Sequence, residues 1–337
     1  MKVRSLCPTR IDLAGGTLDL WPLYTFFENS KTINAAISIY TGCEIETLDA
    51  KEIQVSVESL KFKKTYKNKD AFLKSKDKAI EILKPLVSFF NPEFGFKVKT
   101  FSESPVGGGL GGSSSLTIAL IYGFLAVMDI KMEVRKIVHL AHNLEAKLLK
   151  TPTGTQDYVP PILGGINMIS YDMDSIGFEK SDFDIEDFNS RMVLVYTGRP
   201  HHSGLNNWKV LQDIIQGNKK SMAALAGLLD TTLLLYGQLQ NKTNFASVNF
   251  KKIFNLEYKW RTQLSKGFSS PEIRRLEKIT SKKGVEAIKI CGAGGGGCVV
   301  LLTKKGFKEK VQDICQKEGF QVLNARVVPQ GVSVTKV

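Results

Sequence analysis

The chain lacks the features that would direct it to a membrane or to an oxidising compartment. None of its apolar runs reaches the roughly 18 residues of a membrane span, and its first residues do not resemble a signal peptide. Its five cysteines are odd in number, widely spaced and without a Cys-x-x-Cys pair, so neither a disulfide framework nor a zinc site is indicated. We therefore expect a cytoplasmic protein with reduced thiols and no membrane partner.

Two familiar nucleotide-binding signatures are missing or incomplete. The lysine-bearing phosphate loop requires Gly-Lys-Ser/Thr, which occurs nowhere in the chain. The spacing Gly107-x-Gly109-x-x-Gly112 matches the dinucleotide fingerprint, but that fold needs a strand leading directly into the loop and an acidic residue on a second strand. Here Pro105 separates the predicted strand from the loop, and Asp129 falls at the end of a predicted helix. Neither nucleotide fold is favoured.

The net charge is strongly positive without indicating nucleic acid. A formal charge of +13 suits anionic ligands and raises their association rates. Between residues 61 and 78 lie eight lysines. Few aromatic residues and no nucleic-acid motif accompany them, so we interpret this stretch as a solvated face and expect no nucleic-acid partner.

The length and the order of patterns predict two α+β units. At 337 residues the chain is long for one core. Strands and helices occur without a regular βαβ alternation, which favours the α+β class over a doubly wound sheet. An acidic, loop-like stretch at residues 171–190 leads us to divide the chain into residues 1–188 and 189–337. No internal repeat is present.

The spacing of apolar residues predicts the individual elements. Strands are expected at residues 3–7, 32–47, 52–57, 94–101, 192–196, at both ends of 288–302, and at 321–328 and 332–337. Helices are expected at residues 71–90, 116–128, 134–149, 205–240, 250–275 and 307–318. The last helix and the last two strands are expected to complete the second unit.

The most informative stretch is residues 105–115, Pro-Val-Gly-Gly-Gly-Leu-Gly-Gly-Ser-Ser-Ser. Five glycines in six positions allow positive φ and a close approach of a ligand to the backbone N–H groups. The apolar helix that follows, with Ser113 or Ser114 as its N-cap, would add a positive dipole end, which favours phosphate. A glycine-rich turn that only caps a core helix is the open alternative. The candidate phosphate-binding residues are Pro105, Gly107, Gly108, Gly109, Leu110, Gly111, Gly112, Ser113 and Ser114.

This stretch resembles the second motif of the GHMP kinases, the superfamily of galactokinase, homoserine kinase, mevalonate kinase and phosphomevalonate kinase. Its Gly-Leu-Gly-Gly-Ser-Ser form is most similar to the sugar-kinase branch that includes D-glycero-D-manno-heptose 7-phosphate kinase. The resemblance implies an N-terminal ribosomal-protein-S5-domain-2-like domain and a C-terminal ferredoxin-like domain. It also implies an enzyme that uses ATP and Mg²⁺.

Residues 8–20 resemble the first motif of the same superfamily, in which a basic residue comes before a glycine-rich turn and an acidic residue after it holds substrate hydroxyls. Arg10 and Asp19 match those two positions. Gly15, Gly16 and Thr17 form the turn, where galactokinases have Gly-Glu-His-Thr-Asp, so galactose itself is not favoured. From the residues alone, an Asx-type turn with a surface ion pair stays open.

The glycines within residues 288–302 resemble the third motif, which lies against the phosphates and the acceptor. Gly294 and Gly295 are the acceptor-binding candidates there. Ser203, next to His201 and His202, is a further candidate, although an exposed turn would explain this loop equally well.

Asp157 lies in Gly-Thr-Gln-Asp, followed by Gly-Gly, which resembles the segment that carries the catalytic aspartate of sugar-kinase members. The resemblance implies that Asp157 is the base, and Arg10 would keep it ionised. The N-cap of a short helix is the alternative role for Asp157. Pro160 and Pro161 predict that this helix is shorter than in the family.

The resemblance assigns Mg²⁺ to Ser113 and Glu145, and oxygen ligands of this kind suit that ion. A salt bridge on the helix surface is the alternative role for Glu145. His139 and His142 lie three residues apart on the same helix without a third ligand nearby, so we interpret them as structural.

Together the motifs favour an ATP- and Mg²⁺-dependent kinase that phosphorylates a hydroxyl of a sugar or sugar phosphate. A mevalonate- or phosphomevalonate-type acceptor is the first alternative. A non-catalytic nucleotide or sugar sensor on the same fold is the second, although a sensor has no need of a base at residue 157. The oligomeric state we expect is a monomer or a homodimer.

Overall fold

The computed structural model describes residues 1–200, 204–240 and 244–337. The strands in these ranges are β1 (Lys2–Ala14), β2 (Ser30–Leu48), β3 (Ile53–Val57), β4 (Phe62–Tyr66), β5 (Gly95–Ser102), β6 (Ile166–Tyr171), β7 (Ile176–Lys180), β8 (Met192–Tyr196), β9 (Val285–Ile290), β10 (Cys298–Thr303), β11 (Gln321–Leu323) and β12 (Ser333–Lys336). The α-helices are α1 (Lys69–Lys74), α2 (Leu83–Phe90), α3 (Gly112–Val127), α4 (Val134–Leu149), α5 (Val159–Leu163), α6 (Ile185–Arg191), α7 (Gly204–Ile215), α8 (Lys219–Leu239), α9 (Phe250–Leu264), α10 (Pro271–Thr280) and α11 (Lys308–Lys317).

The first sheet is built around β2, which is long enough to pair with different neighbours along its length. β1 pairs along one side, while β6 and β5 pair with the first and second halves of the other side. The main order is β12-β1-β2-β5-β3-β4, and β7 extends the sheet beyond β6. The β3–β5 pair is parallel and the other pairs are antiparallel. This arrangement places the second half of β1 inside the protein, where Arg10 and Asp12 are buried.

The second sheet has the order β11-β8-β10-β9 and is antiparallel throughout. Helices α7 to α10 connect β8 to β9, and α11 connects β10 to β11. This is the β-α-β-β-α-β connection of a ferredoxin-like unit. The predicted α+β class and two-unit architecture are thereby confirmed.

The end of the chain does not complete the second unit as predicted. β12 pairs antiparallel with β1, with Val3 opposite Lys336, and therefore belongs to the first sheet. Of residues 321–328, only Gln321–Leu323 forms a strand. The division at residues 188 and 189 stays a prediction.

Residues 71–90 do not form the single predicted helix. α1 ends at Lys74, and α2 begins at Leu83 after a 3-10 turn. The side chains of Tyr66 and Ser75 donate hydrogen bonds to Asp77 inside this break. Pro85 lacks an N–H, which a helix tolerates in its first turn, and this explains where α2 begins.

Residues 171–190 are not the predicted loop, because they hold β7 and α6. Asp184 is the N-cap of α6, and its side chain accepts a hydrogen bond from the N–H of Glu186. Acidic residues in the first turn interact favourably with the helix dipole, so the acidic composition stabilises a helix start here.

By length and composition α8 could cross a membrane, which the sequence analysis did not anticipate. Half of its most apolar window is buried inside the protein, and Leu225, Leu228 and Leu235 are fully buried. The core helices of soluble proteins have the same length and apolar composition, so this helix is only weak evidence for a membrane span.

Candidate active site

A cleft of about 610 Å³ brings the predicted motifs together. Its walls come from the turn after β1, the glycine loop before α3, the C-terminal part of α4, the segment before α5, and the loop after β9. These segments are far apart in sequence and belong to both sheets. The cleft therefore brings residues of the three motifs within reach of the same ligands.

Arg10 and Asp157 form a bidentate ion pair in this cleft. The guanidinium of Arg10 donates from Nε to Asp157 Oδ1 over 2.8 Å and from Nη2 to Asp157 Oδ2 over 2.7 Å. Burial would lower the pKa of Arg10, but the carboxylates of Asp157 and Asp12 raise it, so the arginine remains charged. The Asp157 side chain keeps 26% of its surface exposed and is thus held in place while still reachable from the cleft.

Arg10 also anchors the glycine loop. Its Nη1 donates to the carbonyl of Gly109, and its backbone N–H donates to the carbonyl of Leu110 over 3.0 Å. One residue of β1 therefore sets the position of both the candidate base and the candidate phosphate loop.

The glycine loop alternates between left-handed and ordinary backbone. Gly107, Gly109 and Gly111 have φ of 64°, 71° and 66°, values that side chains with a Cβ rarely adopt. The N-cap of α3 is Gly111, so the prediction of Ser113 or Ser114 at this position is wrong. No side chain caps the helix, which leaves its first N–H groups free for a ligand, and Gly112, Ser113 and Ser114 line the cleft.

Glu145 reaches the same cleft from α4. Its Oε2 accepts a hydrogen bond of 2.9 Å from Ser114 Oγ and a short one from the hydroxyl of Tyr158. Burial raises the pKa of Glu145 above its ordinary value. The structure therefore pairs Glu145 with Ser114, whereas Ser113 is exposed and lines the cleft nearby. Tyr158, which is fully buried, is a contributor that the sequence analysis missed.

Asp19 lines the same cleft. It is 2% exposed, and its carboxylate accepts hydrogen bonds from the backbone N–H of Gln156 at 3.1 Å and from Gln156 Nε2 at 3.4 Å. Burial, together with the charge of Asp157, raises the pKa of Asp19 to about 6. The turn before it contains Gly15 and Thr17 at positive φ, and Gly16 and Thr17 line the cleft.

A buried charge cluster, consisting of Asp12, Glu257, Arg261 and Lys289, joins the first motif to the second unit. Lys289 Nζ lies 2.5 Å from Asp12 and 3.9 Å from Glu257. Burial would raise the pKa of Asp12, but Lys289, with Arg10 and Arg261, lowers it to about 2. The sequence analysis missed this cluster, although the oppositely charged residues Asp12 in β1 and Lys289 in β9 were a signal for it.

The third motif contributes to the cleft through residues other than those predicted. Gly292 and Ala293 line it, and the N–H of Gly292 donates to Asp12 Oδ1 over 2.9 Å. Gly295 donates instead to the carbonyl of Phe268, and a side chain at Gly294 would overlap the Phe268 ring.

The remaining candidates do not form a metal centre. His142 Nε2 lies 3.0 Å from the carbonyl oxygen of Thr153, and His139 contacts Asn143. Within residues 1–200, 204–240 and 244–337, no group of three or more His, Cys, Asp or Glu side chains could hold a metal by itself. Ser203, with His201 and His202, lies outside the described residues.

Two family models match the chain. The one described as GHMP kinases N terminal domain matches residues 76–165, and the one described as GHMP kinases C terminal matches residues 252–321. The first covers the glycine loop, Glu145 and Asp157, and the second covers Glu257, Arg261 and the third motif.

Curated relatives match over nearly the full length. D-glycero-alpha-D-manno-heptose 7-phosphate kinase of Campylobacter jejuni is 24% identical, with 99% of each chain covered. Mevalonate kinase of Pyrococcus furiosus is 24% identical over 92% of this chain and 91% of its own.

Solved structures have the same fold. A D-glycero-D-manno-heptose 1-phosphate kinase from Bacteriodes thetaiotaomicron superposes with a TM-score of 0.77 at 19% identity, covering 99% of both chains. Galactokinase of Lactococcus lactis, complexed with galactose, superposes with a TM-score of 0.73 at 17% identity, covering 98% of this chain and 95% of its own.

Proposed function

The chain belongs to the GHMP kinase superfamily, and from that premise we propose that it transfers the γ-phosphoryl group of ATP to a hydroxyl of a sugar or sugar phosphate. The observation that carries the proposal is the Asp157–Arg10 pair, held at the point where the glycine loop, Glu145 and Asp19 meet. The reaction requires ATP and a soluble acceptor, so we place it in the cytoplasm without a nucleic-acid or membrane partner.

The glycine loop and the start of α3 would bind the phosphates of ATP. Their free N–H groups and the positive helix end are suited to anions. One arm of the cleft is lined by apolar side chains and is the natural site for the adenine ring. These residues, which the sequence analysis did not single out, are Val57, Leu60, Ala79, Ile82 and Leu83.

Mg²⁺ fits the oxygen donors beside these phosphates. Magnesium is usually held by one or two carboxylates together with substrate phosphates and water, so the absence of a larger cluster among the described residues is no obstacle. Glu145 would supply the carboxylate, and Ser113 or Ser114 the hydroxyl. When bound, the ion would neutralise charge on the transferred phosphoryl group.

Tyr158→Phe should raise the Mg²⁺ concentration for half-maximal activity by about tenfold, because it removes the hydroxyl that orients the Glu145 carboxylate. The measurement is the initial rate against Mg²⁺ concentration at saturating ATP. Tyr171→Phe is the matched control, since Tyr171 is equally buried and its hydroxyl bonds to Thr32 instead. Equal Mg²⁺ requirements in both variants would contradict the role of Tyr158.

Asp157 would accept the proton of the attacking hydroxyl. Its bidentate pairing with Arg10 fixes the carboxylate in one orientation. Asp19 and the turn before it would hold other hydroxyls of the acceptor. A purely sensory protein has no need of this pair, which is why we favour catalysis over a sensor.

The value of kcat/KM for the acceptor should fall about tenfold per pH unit below about 6. Protonation removes the negative charge of Asp19, and the neutral carboxyl group no longer binds the hydroxyls of the acceptor as the carboxylate does. Rates at subsaturating acceptor from pH 5 to 8 test this. In Asp19→Asn, kcat/KM should be lower at neutral pH and should no longer fall near pH 6. A fall caused by titration of a phosphate on the acceptor would persist in this variant, so the two causes can be distinguished. An unchanged limb in Asp19→Asn would refute the assignment.

The acceptor class is tested by ADP release with Mg²⁺-ATP and a panel of hexoses, heptoses, their phosphates, mevalonate and phosphomevalonate. We expect turnover with a sugar or sugar phosphate. A mevalonate-type acceptor is the second candidate, favoured by the match to mevalonate kinases over most of the chain. Selective turnover of mevalonate would replace the sugar proposal, while nucleotide binding without turnover on any acceptor would favour the sensor.

A further inference from the structure

The turn of the first motif, which consists of Gly15, Gly16 and Thr17, is bonded to α9, a helix between β8 and β9 of the second sheet. Glu257 and Arg261 lie four residues apart and therefore on one face of α9. Glu257 Oε1 accepts a hydrogen bond from the N–H of Gly15 over 2.5 Å. Arg261 Nη1 donates to the carbonyl of Gly16 over 2.6 Å and to Thr17 Oγ1 over 3.0 Å. Each residue of the turn is thus bonded to the same helix.

The backbone of Thr17 is strained. Its φ of 87° lies in the left-handed region, which a β-branched residue rarely adopts. Strain of this kind persists only where the surrounding groups fix the backbone, and it is concentrated at functional sites. Arg261 bonds both to the carbonyl of Gly16, just before the strained residue, and to the hydroxyl of Thr17 itself. These contacts therefore offset the strain.

The position of Asp19 follows from that of the turn. The N–H of Leu18 donates to the carbonyl of Gly15 over 2.9 Å, and the N–H of Leu20 donates to the carbonyl of Thr17 over 3.3 Å. These two bonds connect the residues on either side of Asp19 to the turn, and the Asp19 side chain lines the cleft. A shift of the turn would therefore move the carboxylate.

The buried charge cluster around Arg261 is balanced within the protein. Two acidic side chains, Asp12 and Glu257, face two basic ones, Arg261 and Lys289, and Lys289 lies within 4.0 Å of both carboxylates. The guanidinium of Arg261 is 5% exposed, so it needs no anionic ligand to be stable here. Its hydrogen bonds run to the first motif and, through the carbonyl of Gly292, to the third.

We propose that Arg261 is a positioning residue for the acceptor, which holds the turn of the first motif, and with it Asp19, in the geometry that binds the hydroxyls. The inference rests on the proposed function, which places the acceptor at Asp19. A misplacement of about 1 Å can cost about 100-fold in rate, so Arg261 can act without touching the substrate. The loss of its support should impair the use of the acceptor and spare ATP, whose phosphates we place at the glycine loop.

Arg261→Gln should raise KM for the acceptor by about tenfold or more and change KM for ATP less than about twofold. The acceptor for this measurement is the sugar or sugar phosphate of the panel above that wild-type protein turns over fastest. Arg261→Lys retains the charge and a donor without the planar fork, so it should recover part of the loss. Arg275→Gln is the matched control. Arg275 also lies over a phenylalanine ring, that of Phe320, but its side chain is 56% exposed and outside the cleft.

Gly16→Ala disturbs the same contact without altering any charge. The backbone of Gly16 is outside the left-handed region, but an added methyl group would lie 2.8 Å from Arg261 Nη1 and 3.3 Å from Asp12 Oδ2. It should therefore displace the guanidinium and raise KM for the acceptor, as Arg261→Gln does. Added to Arg261→Gln, the same substitution should raise KM less than about twofold further, because the arginine that it displaces is already absent.

Amide hydrogen exchange tests the support of the turn without any acceptor. The N–H groups of Gly15, Leu18 and Leu20 are all bonded in the turn. Their exchange should be about tenfold faster or more in Arg261→Gln and in Gly16→Ala, because the turn opens more often. Exchange within α3, a core helix of the first unit, should be unchanged in both variants, which would show that the fold survives.

Three outcomes would overturn the inference. They are an unchanged KM for the acceptor in Arg261→Gln, equal rises in KM for the acceptor and for ATP, and exchange that is unchanged in the turn or rises equally in α3. The proposed function fails separately. Faster exchange confined to the turn, without phosphoryl transfer by wild-type protein to any acceptor of the panel, would keep the role of Arg261 in holding the turn and remove the kinase.

Discussion

Asp157→Asn should lower kcat by about 10²–10⁴-fold while changing the dissociation constant for Mg²⁺-ATP less than about twofold. The amide is nearly isosteric with the carboxylate and can still accept a hydrogen bond from Arg10, so the glycine loop should stay in place. What the amide cannot do is take the proton of the attacking hydroxyl. Single-turnover rates and nucleotide titrations of the same preparation measure the two quantities.

The control for this variant is Asp129→Asn, which makes the same chemical change at an exposed residue outside the cleft. Asp129 has φ of 53°, a conformation that asparagine also tolerates, so full activity is expected. Near-normal turnover in Asp157→Asn would remove the base assignment. A loss of ATP affinity equal to the loss of rate would instead assign Asp157 a structural role through Arg10.

Gly154→Ala should lower kcat/KM for the acceptor by about 100-fold or more, with ATP binding preserved. Gly154 forms an isolated bridge with Leu20 and has no left-handed backbone requirement. The three atoms nearest to an added methyl group all belong to the carboxyl group of Asp19, which the methyl would overlap. Asp19 would be forced away from its bonds to Gln156, and overpacking of this kind typically costs about 1–3 kcal/mol of stability.

Gly177→Ala provides the matched comparison, because an added methyl group there meets nothing closer than Ser170 Cβ at 3.7 Å. The two variants differ in whether the new methyl group touches the site. Steady-state kinetics with the acceptor varied, alongside thermal unfolding, separates a local effect from general destabilisation. An unaltered kcat/KM in Gly154→Ala would mean that Asp19 does not hold the acceptor.

The sequence predicted the segments that meet in the cleft because their glycine and charge patterns are local. The strand before Arg10, the glycine loop and the helix of Glu145 can each be recognised within about 15 residues. The N-cap of α3 was missed because serine is the usual choice there, whereas the loop enters the helix at Gly111 with φ of 66°. A capping serine would have occupied N–H groups that this site leaves free.

Contacts between distant segments could not be read from local patterns. Asp12 meets Lys289, although 277 residues of the chain separate them. The return of β12 to β1 was missed for a similar reason, since a short exposed strand carries no signal of its partner. Tyr158 resembles any core tyrosine until its hydroxyl is seen to contact Glu145.

The most direct measurement of the central claim is the transfer of label from [γ-³²P]ATP to an added acceptor, followed by isolation of the labelled product. The account predicts label on a sugar phosphate, dependent on Mg²⁺ and lost in Asp157→Asn. Label that appears only in inorganic phosphate, at the same rate with and without every acceptor, would contradict the assignment of this cleft to a kinase of a sugar or sugar phosphate.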